Sequence, residues 1–172
     1  MRRWPAAEAI ETARLVLEPL RVEHAVEMAP LLDDVTLHRY IGGRPASLDE
    51  LRERYRRQAV GRSPDGTEGW LNWVIRTRAS GQPVGTVQAT VSRDGRRRQA
   101  ELAWVVATPS QRQGYAAEAA AGMADWLRAR GIPHLVAYVH PEHRTSGRVA
   151  ERLGLIATDV VVDGEIRWTS GP

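Results

Sequence analysis

The segment from Leu102 to Val139 restricts the folds open to this chain more than any other. It begins with an apolar run, Leu102 to Val106, that reads as a buried strand. Pro109 and Ser110 break the regular pattern. Gly114 follows, and then an alanine-rich stretch, Ala116 to Arg130, with Met123, Trp126 and Leu127 at helical spacing. Gly131 ends that helix after arginines that suit its negative pole. Leu135 to Val139 is a second buried strand. A helix that joins two strands of one sheet makes them parallel neighbours. The chain must therefore build a strand–helix–strand unit with a glycine at the helix entrance.

That entrance has a chemical use. The first turn of a helix carries N–H groups with no partner in the helix, and the dipole adds partial positive charge there. A glycine lets ligand oxygens reach the main chain without meeting a Cβ. The product is a site for phosphate or pyrophosphate. A Walker loop is excluded, because it needs lysine and the chain has none. A dinucleotide fingerprint needs three glycines near the first strand of the unit, and here there is one.

The rest of the chain supplies a sheet around this unit. Ala13 to Leu20 alternates and ends near Pro19, as an edge strand does. Val22 to Leu32 and Val35 to Tyr40 read as helices, with Pro30 able to kink or end the first and Gly42-Gly43 stopping the second. Ser47-Leu48-Asp49-Glu50 is a capping box that starts another helix, whose charged residues read as a solvated face. Leu71 to Thr77, Val84 to Ser92 and Gln99 to Val106 form three antiparallel strands, the last two joined by Asp94-Gly95, a hairpin signal. A final helix from Thr145 to Leu153 precedes a closing hairpin, Ile156 to Val162 and Glu165 to Trp168 around Asp163-Gly164. The expected fold class is α+β, a mixed and mostly antiparallel sheet with one central parallel pair, in one domain over residues 1–172.

Composition narrows the function classes. A chain of 172 residues with 42% hydrophobic and 26% charged side chains is globular in character. It has no cysteine, which excludes disulfides, thiolate metal sites and a cysteine nucleophile. The start, Met1-Arg2-Arg3-Trp4-Pro5, is basic but no apolar signal core follows, and no run is long enough to span a membrane, so a cytoplasmic location is expected. His24, His38, His134 and His140 show no metal-ligand spacing and read as structural or surface residues, with no metal expected. The net charge of +3 is mild and suits an anionic cofactor without demanding a nucleic-acid partner.

Gln111, Gly114 and Ala116 meet the pattern Gln/Arg-x-x-Gly-x-Gly/Ala, between a strand and a helix. The segment resembles the acyl-CoA pyrophosphate loop of the GNAT superfamily of N-acetyltransferases. Two further stretches resemble the ribosomal-protein alanine N-acetyltransferase branch: Thr12-Ala13-Arg14-Leu15-Val16-Leu17 with Pro19, and Tyr40-Ile41-Gly42-Gly43. After the second parallel strand, relatives carry Asn, then Ser three residues on, then a helix ending Leu-Gly-Phe. Here His143, Ser146 and Leu153-Gly154-Leu155 stand in those places, so His143 departs from the pattern. An imidazole cannot donate and accept at one position as an amide does.

The resemblance implies a GNAT fold in which the parallel pair is splayed, and acetyl-CoA as co-substrate. Its pantetheine would lie against the main chain of Trp104, Val105 and Val106, filling the gap as an added strand would. Its pyrophosphate would lie against Gln111, Arg112, Gln113, Gly114, Tyr115 and Ala116, with His143 and Ser146 on the arm. Direct transfer to an amine needs a base for the amine proton and an N–H donor for the oxyanion; Val105 or Val106 is the candidate donor. Glu101 is the candidate base, with a solvated or salt-bridged side chain beside Arg97 and Arg98 as the alternative. Glu101 and Trp104 lie three apart, so they face oppositely unless the bulge usual in this family intervenes. Ser146 is the candidate acid by resemblance, with a helix cap as the alternative; Asp159 is a reserve carboxylate. Trp70, Trp73, Trp104 and Trp168 read as core, and two or more could line an acceptor pocket. The implied acceptor is a primary amine, a protein N-terminal α-amine first and a small-molecule amine second. A non-catalytic acyl-CoA sensor is the third alternative. No membrane and no direct nucleic-acid partner are expected, and a homodimer is compatible with the resemblance.

Overall fold

Along the strand Gly69–Thr77, Leu71, Trp73 and Ile75 alternate with Trp70, Asn72 and Val74, and this period of two gives the sheet two unlike faces. The structure, a computed structural model, describes residues 4–171, so the basic Met1-Arg2-Arg3 start lies outside the described residues. In chain order the elements are β1 (Ile10–Glu11), β2 (Leu15–Pro19), α1 (Ala25–Leu32), α2 (Leu48–Ala59), β3 (Gly69–Thr77), β4 (Pro83–Asp94), β5 (Arg97–Val106), α3 (Tyr115–Ala129), β6 (His134–Val139), α4 (Arg144–Arg152), β7 (Ile156–Val162) and β8 (Glu165–Thr169). The strands form one sheet in the order β1-β2-β3-β4-β5-β6-β8-β7. Among the described residues, only β5 and β6 run parallel. This is the expected α+β architecture of the GNAT fold.

One face packs on α3 and α4 through Leu71, Trp73, Val87, Leu102, Met123, Leu127 and Val149. Trp73 meets Trp126 edge-on, with ring centroids 5.5 Å apart. On the other face α1 packs on β4 and α2 on β3, with Met28, Leu51, Tyr55 and Val74 in one cluster. The rest of that face is left open.

Several boundaries differ from the sequence reading, for local reasons. Val22 to Leu32 divides into a 3-10 turn, Val22–His24, and α1. Val35–His38 is a 3-10 turn capped by the Asp34 side chain, which accepts from Thr36 N–H. The first long strand is Leu15–Pro19, one place in from the edge, because Ile10–Glu11 pairs outside it. In the β4–β5 hairpin Asp94 pairs with Arg97, so the two-residue turn is Gly95-Arg96. The β7–β8 turn does fall on Asp163-Gly164, whose φ values of 51° and 81° are those a type I′ turn requires.

Pairing of β5 with β6 runs from Gln99↔His134 to Leu102↔Ala137. Beyond it β5 continues along β4 to Val106, while β6 continues along β8 to Val139, so the two parallel strands part. Ala107 N–H donates to Val84 C=O at 2.8 Å. Alternate residues of an antiparallel ladder share one side. Val105 therefore faces β4, and the peptide groups of Trp104 and Val106 face the gap.

Gly85 makes the β4 side of this region possible. A Cβ there would lie 2.0 Å from Val105 C=O and 2.9 Å from Val106 Cα. Backbone atoms cannot rotate away, so Gly85→Ala must push β5 sideways. The expected cost is about 3 kcal/mol, a fall in Tm of roughly 6–12 °C by calorimetry.

Candidate active site

Thr108–Ser110 turns the chain out of β5, and Gln111 N–H closes that turn on Thr108 C=O. Arg112 and Gly114 then take left-handed φ values of 65° and 80°. The first amide to re-enter a helical bond is Glu118 N–H, donating to Gly114 C=O at 3.1 Å. Among the described residues, the N–H groups from Arg112 to Ala117 donate to no protein acceptor. They lie at the positive pole of α3, which suits a diphosphate. Gln111 has a different place from the others: its Nε2 donates to Val106 C=O at 2.9 Å and ties the loop to the strand end.

Two residues of the N-terminal fragment hold this loop, a role no local spacing signals. The Glu118 carboxylate accepts from Thr12 Oγ1, from Arg14 N–H at 2.9 Å and from Arg14 Nε at 2.7 Å. Arg14 Nη1 also donates to Gln113 C=O at 2.8 Å, and its guanidinium lies 4.7 Å from the Tyr115 ring centroid. Gly122 permits the approach, since a Cβ there would lie 2.9 Å from Thr12 Cγ2. Burial pushes the Glu118 carboxyl up; the hydrogen bonds from Thr12 and Arg14 outweigh it and hold the group below the ordinary value. The folded carboxyl thus ionises more readily than the unfolded one. Its contribution is full above about pH 4.3, the unfolded value, and is lost as pH falls through the folded one.

Truncation of Arg14 removes the Nε donor from the Glu118 carboxylate and leaves the Gln113 carbonyl without its partner. Arg14→Ala is expected to raise the Kd for acetyl-CoA about tenfold, the effect of roughly 1.4 kcal/mol, read by calorimetric titration. The rate at saturating acetyl-CoA should change less than threefold.

The open face begins beside the gap. Trp70, Thr90, Glu101 and Val136 lie in one row across β3, β4, β5 and β6. The β4–β5 register is unbroken from Gly85↔Val106 to Asp94↔Arg97, so the expected bulge is absent from it. Glu101 therefore points to the open face and Trp104 to the α4 side. Desolvation against the sheet pushes the Glu101 carboxyl up, and the charges of Glu68 and Glu165 add to this. Arg97 and Arg98 are not among its partners. Glu68 accepts from Trp70 Nε1 at 3.0 Å. Asp159 is not near: it is exposed on the edge strand β7, with β8 between it and β6.

On the other side, Trp104 Nε1 donates to Ser146 Oγ at 3.3 Å, and Ser146 Oγ lies 3.4 Å from His143 Nε2. Ser146 is the third residue of α4 and does not cap it. With one lone pair taken by the indole, its hydroxyl proton is free for another acceptor. His143 stacks on Tyr40 with centroids 4.4 Å apart, and Tyr40 also meets His140 at 5.2 Å. Desolvation pushes the His143 imidazole down, and the nearby His140 adds to this, so it is neutral at pH 7. Tyr40 arrives on the segment before α2, which Asp34 fastens by accepting from Thr108 Oγ1. Of the four strand tryptophans only Trp70 faces the open side.

The comparisons agree with this geometry. The family described as Acetyltransferase (GNAT) domain matches residues 14–156. No curated protein matches the chain. A protein from Bordetella pertussis, described as a GnaT-family acetyltransferase, superposes with a TM-score of 0.70 at 27% identity, over 94% of this chain and 97% of that one. An acetyltransferase from Salmonella typhimurium, described as modifying the N-terminal serine of ribosomal protein L7/L12, gives 0.73 at 14% identity over 94% and 98%. The microcin C7 self-immunity acetyltransferase MccE, solved with acetyl-CoA and AMP, gives 0.74 at 12% identity over 92% of each chain. With its parted parallel strands and unpaired loop amides, this chain belongs to the GNAT acetyltransferase family and is an acetyl-CoA-dependent transferase.

Proposed function

We propose that the protein moves the acetyl group directly onto the α-amine of a cytoplasmic protein N-terminus, with the acceptor entering from the open face. The carrying observation is the placement of Glu101: exposed on that face, one row from the gap, with its carboxyl pushed up. An extended peptide fits an open sheet face, whereas small-molecule sites are concave and enclosing.

Acetyl-CoA supplies an activated acetyl carbon. On this reading the amides of Arg112 to Ala117 hold its diphosphate, and the peptide groups of Trp104 and Val106 hold its arm. Glu101 takes the amine proton directly or through one water. Val106 N–H donates to the carbonyl oxygen as negative charge builds there. Ser146, oriented by Trp104, gives its proton to the departing sulfur and regains one from solvent or through His143.

The test is a thiol-release assay with a panel of N-terminal peptides, polyamines and aminoglycosides. Peptide turnover with kcat/KM at least tenfold above any small amine supports the proposal. Preference for a small amine overturns the acceptor assignment. Binding of acetyl-CoA without turnover of any acceptor marks a sensor.

A further inference from the structure

We propose that the end of the sheet farthest from the acyl-CoA loop carries a second anion site, built by Arg93, Arg96, Arg97 and Arg98, for a ligand bearing closely spaced phosphates. The β4–β5 hairpin brings these side chains together with Gly131, Pro133 and His134 around a cavity of about 360 Å³. Among the described residues, no carboxylate lines it. None of the four arginines makes an ion pair among the described residues.

The register sharpens the point. Arg93 pairs directly with Arg98 across the ladder. By the alternation fixed at Ala107 this is a non-hydrogen-bonded pair, the kind with the closer side chains. Like charges placed opposite each other destabilise a sheet, and no described residue lining the cavity supplies a counter-charge. Arg93 leans over the Trp4 ring at 5.9 Å, which places the guanidinium without neutralising it. Of the nearby arginines on α3 and just after it, Arg128 is paired with Asp125 and Arg130 with Glu8.

Guanidinium forks match phosphate oxygens bidentately. Four of them in one cavity suit successive phosphates better than a lone carboxylate. The site is separate from the acyl-CoA loop, because the length of β5, roughly 30 Å, lies between them. It therefore stands whichever amine is acetylated. Two sources share the chemistry: an RNA phosphodiester backbone and free inorganic polyphosphate. Arg96, Arg97 and Arg98 are consecutive in the sequence, and the hairpin register adds Arg93 opposite Arg98.

The full-length protein is titrated with a labelled single-stranded RNA of about 20 nucleotides by anisotropy, and with inorganic tripolyphosphate by calorimetry, at low salt. The R93S/R98S variant should bind the preferred probe at least tenfold more weakly. Its plot of log affinity against log salt should flatten by about one to two units. Its Tm should hold or rise, and its Kd for acetyl-CoA should not move. The R52S/R57S variant on α2 serves as the charge control and should bind like the parent. Preference for RNA assigns the backbone, and preference for tripolyphosphate assigns the free ion. The proposal fails if the parent binds neither probe, if R93S/R98S binds normally, or if the α2 variant loses as much.

Discussion

Gly114→Val is expected to raise the Kd for acetyl-CoA at least about 100-fold, a loss of roughly 2.8 kcal/mol or more. Two effects add. Gly114 sits at φ 80°, a conformation that costs a β-branched residue more than any other. The new side chain would also stand among the unpaired amides, its Cβ 3.3 Å from Arg14 Nη2. Relief of the strain would turn the loop amides away from their common focus, and Arg14 would lose its line to Gln113. Gly114→Ala should fall between parent and valine. The measurement is calorimetric titration with acetyl-CoA and with CoA, and both ligands should lose equally, because they share the diphosphate. A variant that loses acetyl-CoA but keeps CoA would move the effect to the thioester end and contradict the assignment.

Glu101→Gln is expected to lower kcat/KM by about 10²–10³, within the range for loss of a general base. The Kd for acetyl-CoA should hold, since the side chain faces away from Trp104 and α4. The pH profile gives the sharper readout. The parent must be ionised to act, so its rate should fall on the acid side through an apparent pKa above that of an ordinary carboxylate, as the direction of the shift requires. The glutamine variant should lose that acid limb. Stability should move the other way. A carboxyl whose folded value is raised stabilises the fold least once pH rises through that value. The variant should therefore equal or exceed the parent in Tm at pH 7 while losing activity. A rate that is unchanged across pH would remove Glu101 from the chemistry.

The part of the site read from sequence is the part whose signals are local. An apolar run, a glycine and an alanine-rich helix are each visible within a few residues, and a helix crossover fixes two strands as parallel neighbours. The strand–loop–helix from β5 into α3 follows from those features. What escaped depends on long separations. Thr12 and Arg14 meet Glu118 across more than a hundred residues, with separations of 106 and 104. Each reads alone as a strand end or a helix surface charge. The stack of Tyr40 on His143 is hidden in the same way. Asp159 was misplaced because periodicity gives a strand its faces but not its neighbours. The order β6-β8-β7 sends it to the edge. The expected bulge came from the family rather than from these residues, and the register of β4 on β5 does not contain it.

On the proposed function, the unpaired amides at the entrance of α3 and the parted strands β5 and β6 together hold one coenzyme. A crystal structure with CoA bound tests it most directly. Diphosphate oxygens should lie within hydrogen-bond distance of N–H groups between Arg112 and Ala117, and the pantetheine arm against the peptide groups of Trp104 and Val106. Diphosphate bound elsewhere, or an arm lying outside the gap, would contradict it.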